Sequence, residues 1–457
     1  MPICDSCRTL FRSAFRATST SSGLNLDQAA NRPWTIDRPV TYLSFKIEET
    51  SHVIRRQLII AVSAAALCAM FAMGIRSGFG LFLQPISQEL GTGRETFSLA
   101  MAINSLIYGV PLVGFLADRI GPRLVLILGG LLYAAGLVVV TQVTTSGMLM
   151  VSMGLLVGFA LSATTFVVVL GAVGQIVPAE LRSRAFGFVT AAGGLGMVTM
   201  PPVTQFLLDM FDWRTAMIIL AVLVGLIVLF AFGMPNRAGS SLREDEVAAP
   251  EEPFLRLLKR ASANPSYLML TAGFFVCGFH VSFISVHLPP FLGDNGLSGS
   301  VAAGALSLIG GMNIVGSYLF GWLGDKYRKK YLLSMLYLGR AIVISIFLLV
   351  PVTQTSALIF GAAIGFLWLA TVPLTSGSVA QIFGTRYLAS LYGFVFLSHQ
   401  VGSFLGVWLG GRLYDSTGSY NLVWYMAIAL GVFAAIVHLP IVERRVGEES
   451  TAELQPA

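Results

Sequence analysis

From Leu58 onward the chain is a series of long apolar runs separated by short polar breaks. Twelve helices are predicted, at 58–86, 96–116, 124–142, 147–173, 185–207, 214–234, 266–291, 300–323, 331–350, 355–376, 387–409 and 421–442. Each is long enough to cross a bilayer core, which takes about 20 apolar residues. Within the runs the apolar residues are continuous and do not alternate with polar ones. That pattern excludes a transmembrane β-barrel and predicts an all-α membrane protein.

The polar breaks divide the chain. Residues 1–57 are irregular and polar and are expected to be a cytosolic, disordered tail, with Arg8, Arg12 and Arg16 spaced four apart as its one basic amphipathic turn. The one long polar break inside the membrane region, 235–265, carries Glu244, Asp245, Glu246, Glu251 and Glu252 together with Arg256, Lys259 and Arg260. It separates a bundle of six helices at 58–234 from a second at 266–442, with a cytosolic tail at 443–457.

The two bundles repeat. The charged turn GFLADRIGPRLVL starting at Gly114 returns as GWLGDKYRKKYLL starting at Gly321. RSRAFGFV around Gly187 pairs with ASLYGFV around Gly393, and FDWR at Phe211 with GSYN at Gly418, all at an offset of about 206–207 residues. A constant offset over three landmarks predicts two six-helix pseudo-repeats, a common construction among transporters.

Only 11% of the 457 residues are charged, against about 25% in soluble domains, so there is too little polar surface for a water-soluble globule. The net charge of +6 reflects topology and does not point to nucleic acid. Of the 29 Lys and Arg, Arg94, Arg214 and Arg412 fall in one set of loops and Arg76 and Arg340 inside spans; all the others fall in the opposite loops and tails. That bias places both termini in the cytoplasm. Cys68 and Cys277 lie in apolar runs, and Cys4 and Cys7 form a lone CxxC without further ligands, so no metal site or disulfide framework is expected. No nucleophile–base pair or phosphate loop stands out. The expectation is a protein that is not an enzyme and has no cofactor.

A charge in the apolar core costs at least about 2.5–3.5 kcal/mol and usually faces a cavity or a partner. The spans hold Arg76 and Arg340 and no Asp or Glu near their middles. An arginine without an internal carboxylate invites an anion from outside, because its planar fork pairs a carboxylate through two parallel hydrogen bonds. Arg76, toward the outer half of the first helix, is the candidate anchor, with snorkelling to the interface as the alternative. For Arg340 two roles stand open, substrate contact or an internal bond to helix-end carbonyls or Asn313. His280 on the seventh helix and His399 on the eleventh are the candidate proton carriers, each also readable as a core histidine. His287 follows His280 two turns later. Gln400, Asn104 and Asn313 are candidates to complete a substrate pocket, as are Thr164, Thr165 and Trp368, against simple helix–helix bonding.

The turn Gly114, Leu116, Asp118, Arg119, Gly121 and Arg123 resembles the signature between the second and third helices of the major facilitator superfamily. The second copy keeps Gly321, Leu323, Asp325 and Lys326 but has Arg328 where the second glycine would stand. The resemblance spans 58–442. It implies the major facilitator fold, alternating access between two rocking halves, a first helix that lines the central cavity, and a monomer. Gly114, Asp118, Arg119, Arg123, Gly321, Asp325 and Lys326 would then form the gating set that latches the cytosolic side. Expected moving seams are Gly193, Gly194 and Gly196 on the fifth helix and Gly402, Gly406, Gly410 and Gly411 on the eleventh.

The stretch RSGFGLFLQPISQELGTGRETFSLA from Arg76 is similar to bacterial relatives of monocarboxylate and oxalate/formate transporters. That likeness implies the inner membrane of a bacterium and proton-coupled uptake of a small organic anion. The animal carriers of that branch place an Asp and an Arg on the eighth helix where this chain has Ser317 and Asn313. The alternative is export or antiport of a larger, weakly polar or aromatic compound. Against it, the fourth helix lacks the basic residue, and the fifth the Gly-Pro pair, of drug/proton antiporters.

Overall fold

The computed structural model describes residues 40–109, 112–234, 236, 254–384 and 388–444. Arg56–Ala457 is one compact unit; Met1–Arg55 is another. Residues 40–57, expected to belong to an irregular tail, are helical, while the expectations for residues 1–39, most of the linker and most of the C-terminal tail lie outside the described residues.

Among the described residues, twelve helices, several of them broken, account for the membrane region. α1 is Val40–Ser77 and continues through a 3₁₀ turn, Phe79–Phe82, into Leu83–Glu89. α2 consists of Arg94–Tyr108 and Leu112–Ile120, and α3 is Pro122–Val140. α4 runs through Ser146–Leu149, a π-helical stretch Met150–Leu156, Val157–Thr164 and, after a break, Phe166–Ile176. α5 is Ala179–Met210 and α6 Trp213–Ala231. A short linker helix, Phe254–Ser262, leads to α7, Pro265–Asp294, then α8, Gly299–Lys326, and α9, Lys329–Leu349. α10 is split into Gln354–Phe366 and Thr371–Phe383; α11 is Leu388–Thr417 and α12 Asn421–His438. Eleven described helices are long and apolar enough to span a membrane; α2, in two parts, supplies the twelfth expected span.

Local chemistry fixes the helix ends. The Asp212 carboxylate accepts from the Arg214 and Thr215 N–H groups at the start of α6, and Asn264 caps α7 ahead of Pro265 at its first position. Gly121 ends the first charged turn with φ +93°, a conformation that favours glycine. At the second turn Tyr327 and Arg328 have φ −122° and −63°, so no glycine is needed there. That is the physical reason the second copy departs from the signature.

Two apolar cores form, one from 64–234 with Val286 and Val407, the other from 261–441 with Leu81. Each half buries its own core, and the halves meet along two seams, α2 with α11 and α5 with α8. Both seams are tight at the end carrying the α1–α2 and α7–α8 turns. Gly411 stands against Ser98, and Gly109 against the Gln400 side chain. On the other seam Gly299 stands against Gln205, the Ser307 hydroxyl donates to the Val198 carbonyl at 2.7 Å, and Gly194 meets Ile314. Beyond these points the seams part. Gly393 and Gly187 have nothing within 4 Å of a side chain placed there, and Tyr318, one turn past Ile314, is 81% exposed. Within Arg56–Ala457 the two halves form a V, closed at one face and open at the face that carries Asp325 and Lys326.

The glycines expected on moving seams divide. Gly194 and Gly411 do face the other half, whereas Gly196 packs on the Met70 carbonyl of α1, and Gly402 and Gly406 on the Phe275 and Phe279 carbonyls of α7. The latter set brings backbones together inside one half.

Candidate functional site: the apex of the V

Arg76 lies in the last turn of α1, just before the helix tightens into the 3₁₀ turn. The backbone there is pinned: Gly78 stands against Thr204, and Gly80 against the backbone of Ser285 and Val286. Mid-helix 3₁₀ segments often mark functional hinges. The Arg76 guanidinium sits 5.3 Å from the centre of the Tyr108 ring, a cation–π approach. Its Nε is buried without a hydrogen-bond partner. Among the described residues no carboxylate pairs with it.

Tyr108 carries the site across to the other half, its ring edge meeting Phe396 of α11 at 5.9 Å. Phe396 stacks on His399 at 5.8 Å, and His399 contacts Phe274 of α7 at 4.9 Å. His399 is 7% exposed, with Nδ1 3.5 Å from the Ser403 hydroxyl. Gln400 is buried against Gly109 and leaves its Oε1 without a partner. Arg76, His399 and Gln400 therefore gather at the apex, where the α2–α11 seam begins to part.

The other predicted residues lie elsewhere. Asn104 is buried on α2, where its amide donates to the Met153 carbonyl at 2.8 Å inside the π-helical stretch of α4. Asn313 accepts from the Leu369 N–H at 3.0 Å. Arg340 donates to the carbonyls of Leu367 and Trp368. Of its two open roles, these bonds realise the internal one: with Asn313 it holds the break in α10. His280 is 1% exposed and donates through Nε2 to the Ala427 carbonyl of α12. His287 donates to the Val407 carbonyl and accepts from the Tyr420 hydroxyl.

The gating set divides similarly. Arg123 donates to the Met234 carbonyl at the end of α6, 2.6 Å away, and Lys326 lies 3.7 Å over the Trp322 ring of its own helix. Both contacts stay within one half, as suits a face that stands open. Arg119 and Asp325 are exposed there, and a side chain placed on Gly321 of α8 would come no nearer than 3.9 Å to Pro373 of α10. Gly114 and Asp118 lie in the helix Leu112–Ile120, and the Asp118 side chain lies outside what the structure describes.

At the closed face a different charge set joins the halves. The Asp415 carboxylate of α11 accepts from the backbone N–H groups of Arg94 and Glu95, capping α2 from the opposite half. Arg94 pairs with both oxygens of Asp294 at 2.7 and 2.6 Å and lies over the Tyr414 ring. Glu95 accepts from Arg412 at 3.0 Å and from the Trp408 indole at 3.1 Å. Within the N-terminal half, Arg214 and Trp213 both donate to Glu89.

The sequence reading missed the aromatic residues at the apex. Their one signal is spacing: Tyr392, Phe396 and His399 recur on one face of α11.

Comparison with known proteins agrees with this architecture. The model of the Major Facilitator Superfamily matches residues 65–389 and 314–457, and the chain belongs to that superfamily. It is 25% identical to the uncharacterized MFS-type transporter YcxA of Bacillus subtilis (strain 168) over 395 residues, covering 83% of this chain and 95% of YcxA. It is 27% identical to monocarboxylate transporter 13 of Rattus norvegicus over 388 residues, 83% of this chain and 89% of that one. To monocarboxylate transporter 12-B of Danio rerio it is 27% identical over 350 residues, 69% and 72% of the two chains. The inward-facing, unoccupied structure of a bacterial homolog of the human lysosomal transporter Spinster superposes with a TM-score of 0.67 at 16% identity. That match covers 84% of this chain and 96% of that one. The protein is a multi-pass membrane transporter of a small molecule.

Proposed function

We propose that this transporter takes up a small organic anion, a monocarboxylate, together with a proton. The observation that carries the reading is Arg76, a half-buried guanidinium at the apex between the halves with an unpartnered Nε and no described carboxylate beside it. A buried cation in that setting is costly alone and is relieved by a bound carboxylate. The two relatives named as monocarboxylate transporters favour the same substrate class. His399, linked to Arg76 through Tyr108 and Phe396, is the proton carrier of this reading. Pairing of the anion with Arg76, and arrival of the proton, lower the charge that must be carried as the halves rock.

In this reading the basic loops face the cytoplasm of a bacterial cell and both termini lie inside. The open face is then the cytoplasmic one and the conformation is inward-facing. The transporter works as a monomer, and the gating set closes the cytoplasmic side in the opposite state.

The test is uptake into proteoliposomes under an inward proton gradient, with labelled carboxylates, for the unaltered protein and Arg76→Ala. Gradient-driven accumulation that Arg76→Ala abolishes, with the variant still monodisperse, is the expected result. Equal uptake by the variant removes Arg76 as the anchor, and uptake indifferent to the proton gradient removes the coupling.

A further inference from the structure

We infer that the anion held at Arg76 is an aromatic carboxylate. This rests on Arg76 as the anion anchor and adds what the rest of the molecule touches. From the guanidinium, an unbroken run of rings crosses from one half to the other. Tyr108 lies at 5.3 Å, then Phe396 at 5.9 Å from Tyr108, His399 at 5.8 Å from Phe396, Phe274 at 4.9 Å from His399, and Tyr392 at 5.9 Å from Phe274. Three helices contribute the rings and a fourth the guanidinium, so the run is not the side of one helix. It is the surface on which both halves meet the substrate.

Burial along the run alternates. Phe274 is 1%, His399 7% and Tyr108 9% exposed, while Phe396 and Tyr392 are only half-buried. Those two flank Gly393, beside which there is open space. Phe396, the second ring from the cation, therefore lies between the buried Tyr108 ring and the open mouth of the V. A carboxylate docked on Arg76 with its body directed to that mouth lies along Tyr108 and Phe396. An aliphatic acid of two or three carbons would engage only the guanidinium. A planar ring gains edge-to-face and offset contacts that an aliphatic body of equal size does not, because those contacts depend on the ring quadrupole. The same rings bridge the two halves, so an aromatic body would be gripped by both.

Benzoate and cyclohexanecarboxylate separate the two ideas, since they share charge and approximate size and differ in the π-face. Binding is measured on the full chain by thermal shift and by competition in proteoliposome counterflow. Benzoate is expected to bind about ten-fold more tightly. Phe396→Leu and Tyr108→Leu should bring that ratio close to one, Tyr108→Phe should keep it, and Arg76→Ala should abolish binding of both acids. Equal affinities in the unaltered protein, both lost in Arg76→Ala, overturn the aromatic assignment and leave the anion reading in place. A preference that survives both leucine variants removes these rings as its source. Binding of neither acid overturns the aromatic assignment alone, whereas binding of either that is indifferent to Arg76→Ala overturns the anion reading and this inference with it. The first comparison uses only the unaltered protein, so it stands even where a variant fails to fold.

Discussion

At the scale of single residues, two arginines of the same type serve opposite ends, and their surroundings tell them apart. Arg340 is 1% exposed and bonds two backbone carbonyls through Nε and one terminal nitrogen, leaving its other terminal nitrogen buried without a partner; Arg76 is half-buried, lies against the Tyr108 ring and has a buried Nε without a partner. Arg76→Lys keeps the charge but loses the planar fork. The KM for the anion is expected to rise about ten-fold or more, with thermal stability unchanged; an unaltered KM would show that only a point charge is required. The histidines divide in the same way. His287 has both ring nitrogens engaged, so His287→Leu should lower stability by about 1–3 kcal/mol by leaving partners unpaired while the pH profile of uptake keeps its shape. His399→Gln should flatten that profile at little cost in stability. A flattened profile in the His287 variant instead would reverse the two roles. The sequence made Arg76 legible because an intramembrane charge is rare and costly. Tyr108 and Phe396 were not legible, because an aromatic residue in an apolar run looks the same whether it faces lipid, core or cavity.

At the scale of elements, periodicity found the spans and not their interruptions. α4 breaks at Thr165 and α10 between Phe366 and Thr371, 202–205 residues later, close to the repeat offset and therefore near-equivalent in the two halves. Discontinuous helices at matching positions are a recurrent feature of transporter sites. The α10 break falls in Leu367-Trp368-Leu369-Ala370, an apolar run flanked by Gly365 and Pro373 but with neither residue type inside it. What makes it possible is tertiary: Arg340 takes the freed carbonyls and Asn313 the freed Leu369 N–H, so the buried backbone is satisfied. Arg340→Met strands two carbonyls and should cost about 2–5 kcal/mol, more than Asn313→Ala at about 1–3 kcal/mol. Because both hold one break, the double variant should cost less than the sum. Thermal unfolding of the four proteins measures this, and strict additivity would mean that the two residues act on separate structures.

At the scale of the whole molecule, the repeat and the two halves were legible from three landmarks at one offset, yet the state of the transporter was not, since it depends on charges far apart in sequence. The three basic residues that stood out in the sparsely charged loops, Arg94, Arg214 and Arg412, are those that find acids at the closed face: Asp294, Glu89 and Glu95. Two of these pairs, and the Asp415 cap on α2, run between the halves. The cap is worth about 1 kcal/mol, the two-pronged and partly buried Arg94–Asp294 pair about 1.5–3 kcal/mol, and the more exposed Glu95–Arg412 pair at most about 1 kcal/mol. All of them must break for this face to open, so together they bias the molecule toward the V observed here. Asp294→Asn combined with Asp415→Asn should remove about 2 kcal/mol of that bias, roughly a thirty-fold change in the ratio of states. Ser98 reports on it, being fully buried beside Gly411 at the tight end of the α2–α11 seam. In a background without the native cysteines, Ser98→Cys should react slowly with a membrane-impermeant maleimide. With the two acids neutralised it should react at least about ten-fold faster, and Gly411→Val, which wedges the same contact, should do likewise. A carboxylate ligand that binds the apex in both states would leave the gain intact, whereas one that prefers the V would reverse it. Unchanged labelling in both altered proteins would mean that the apolar seams, and not these charges, hold the face shut.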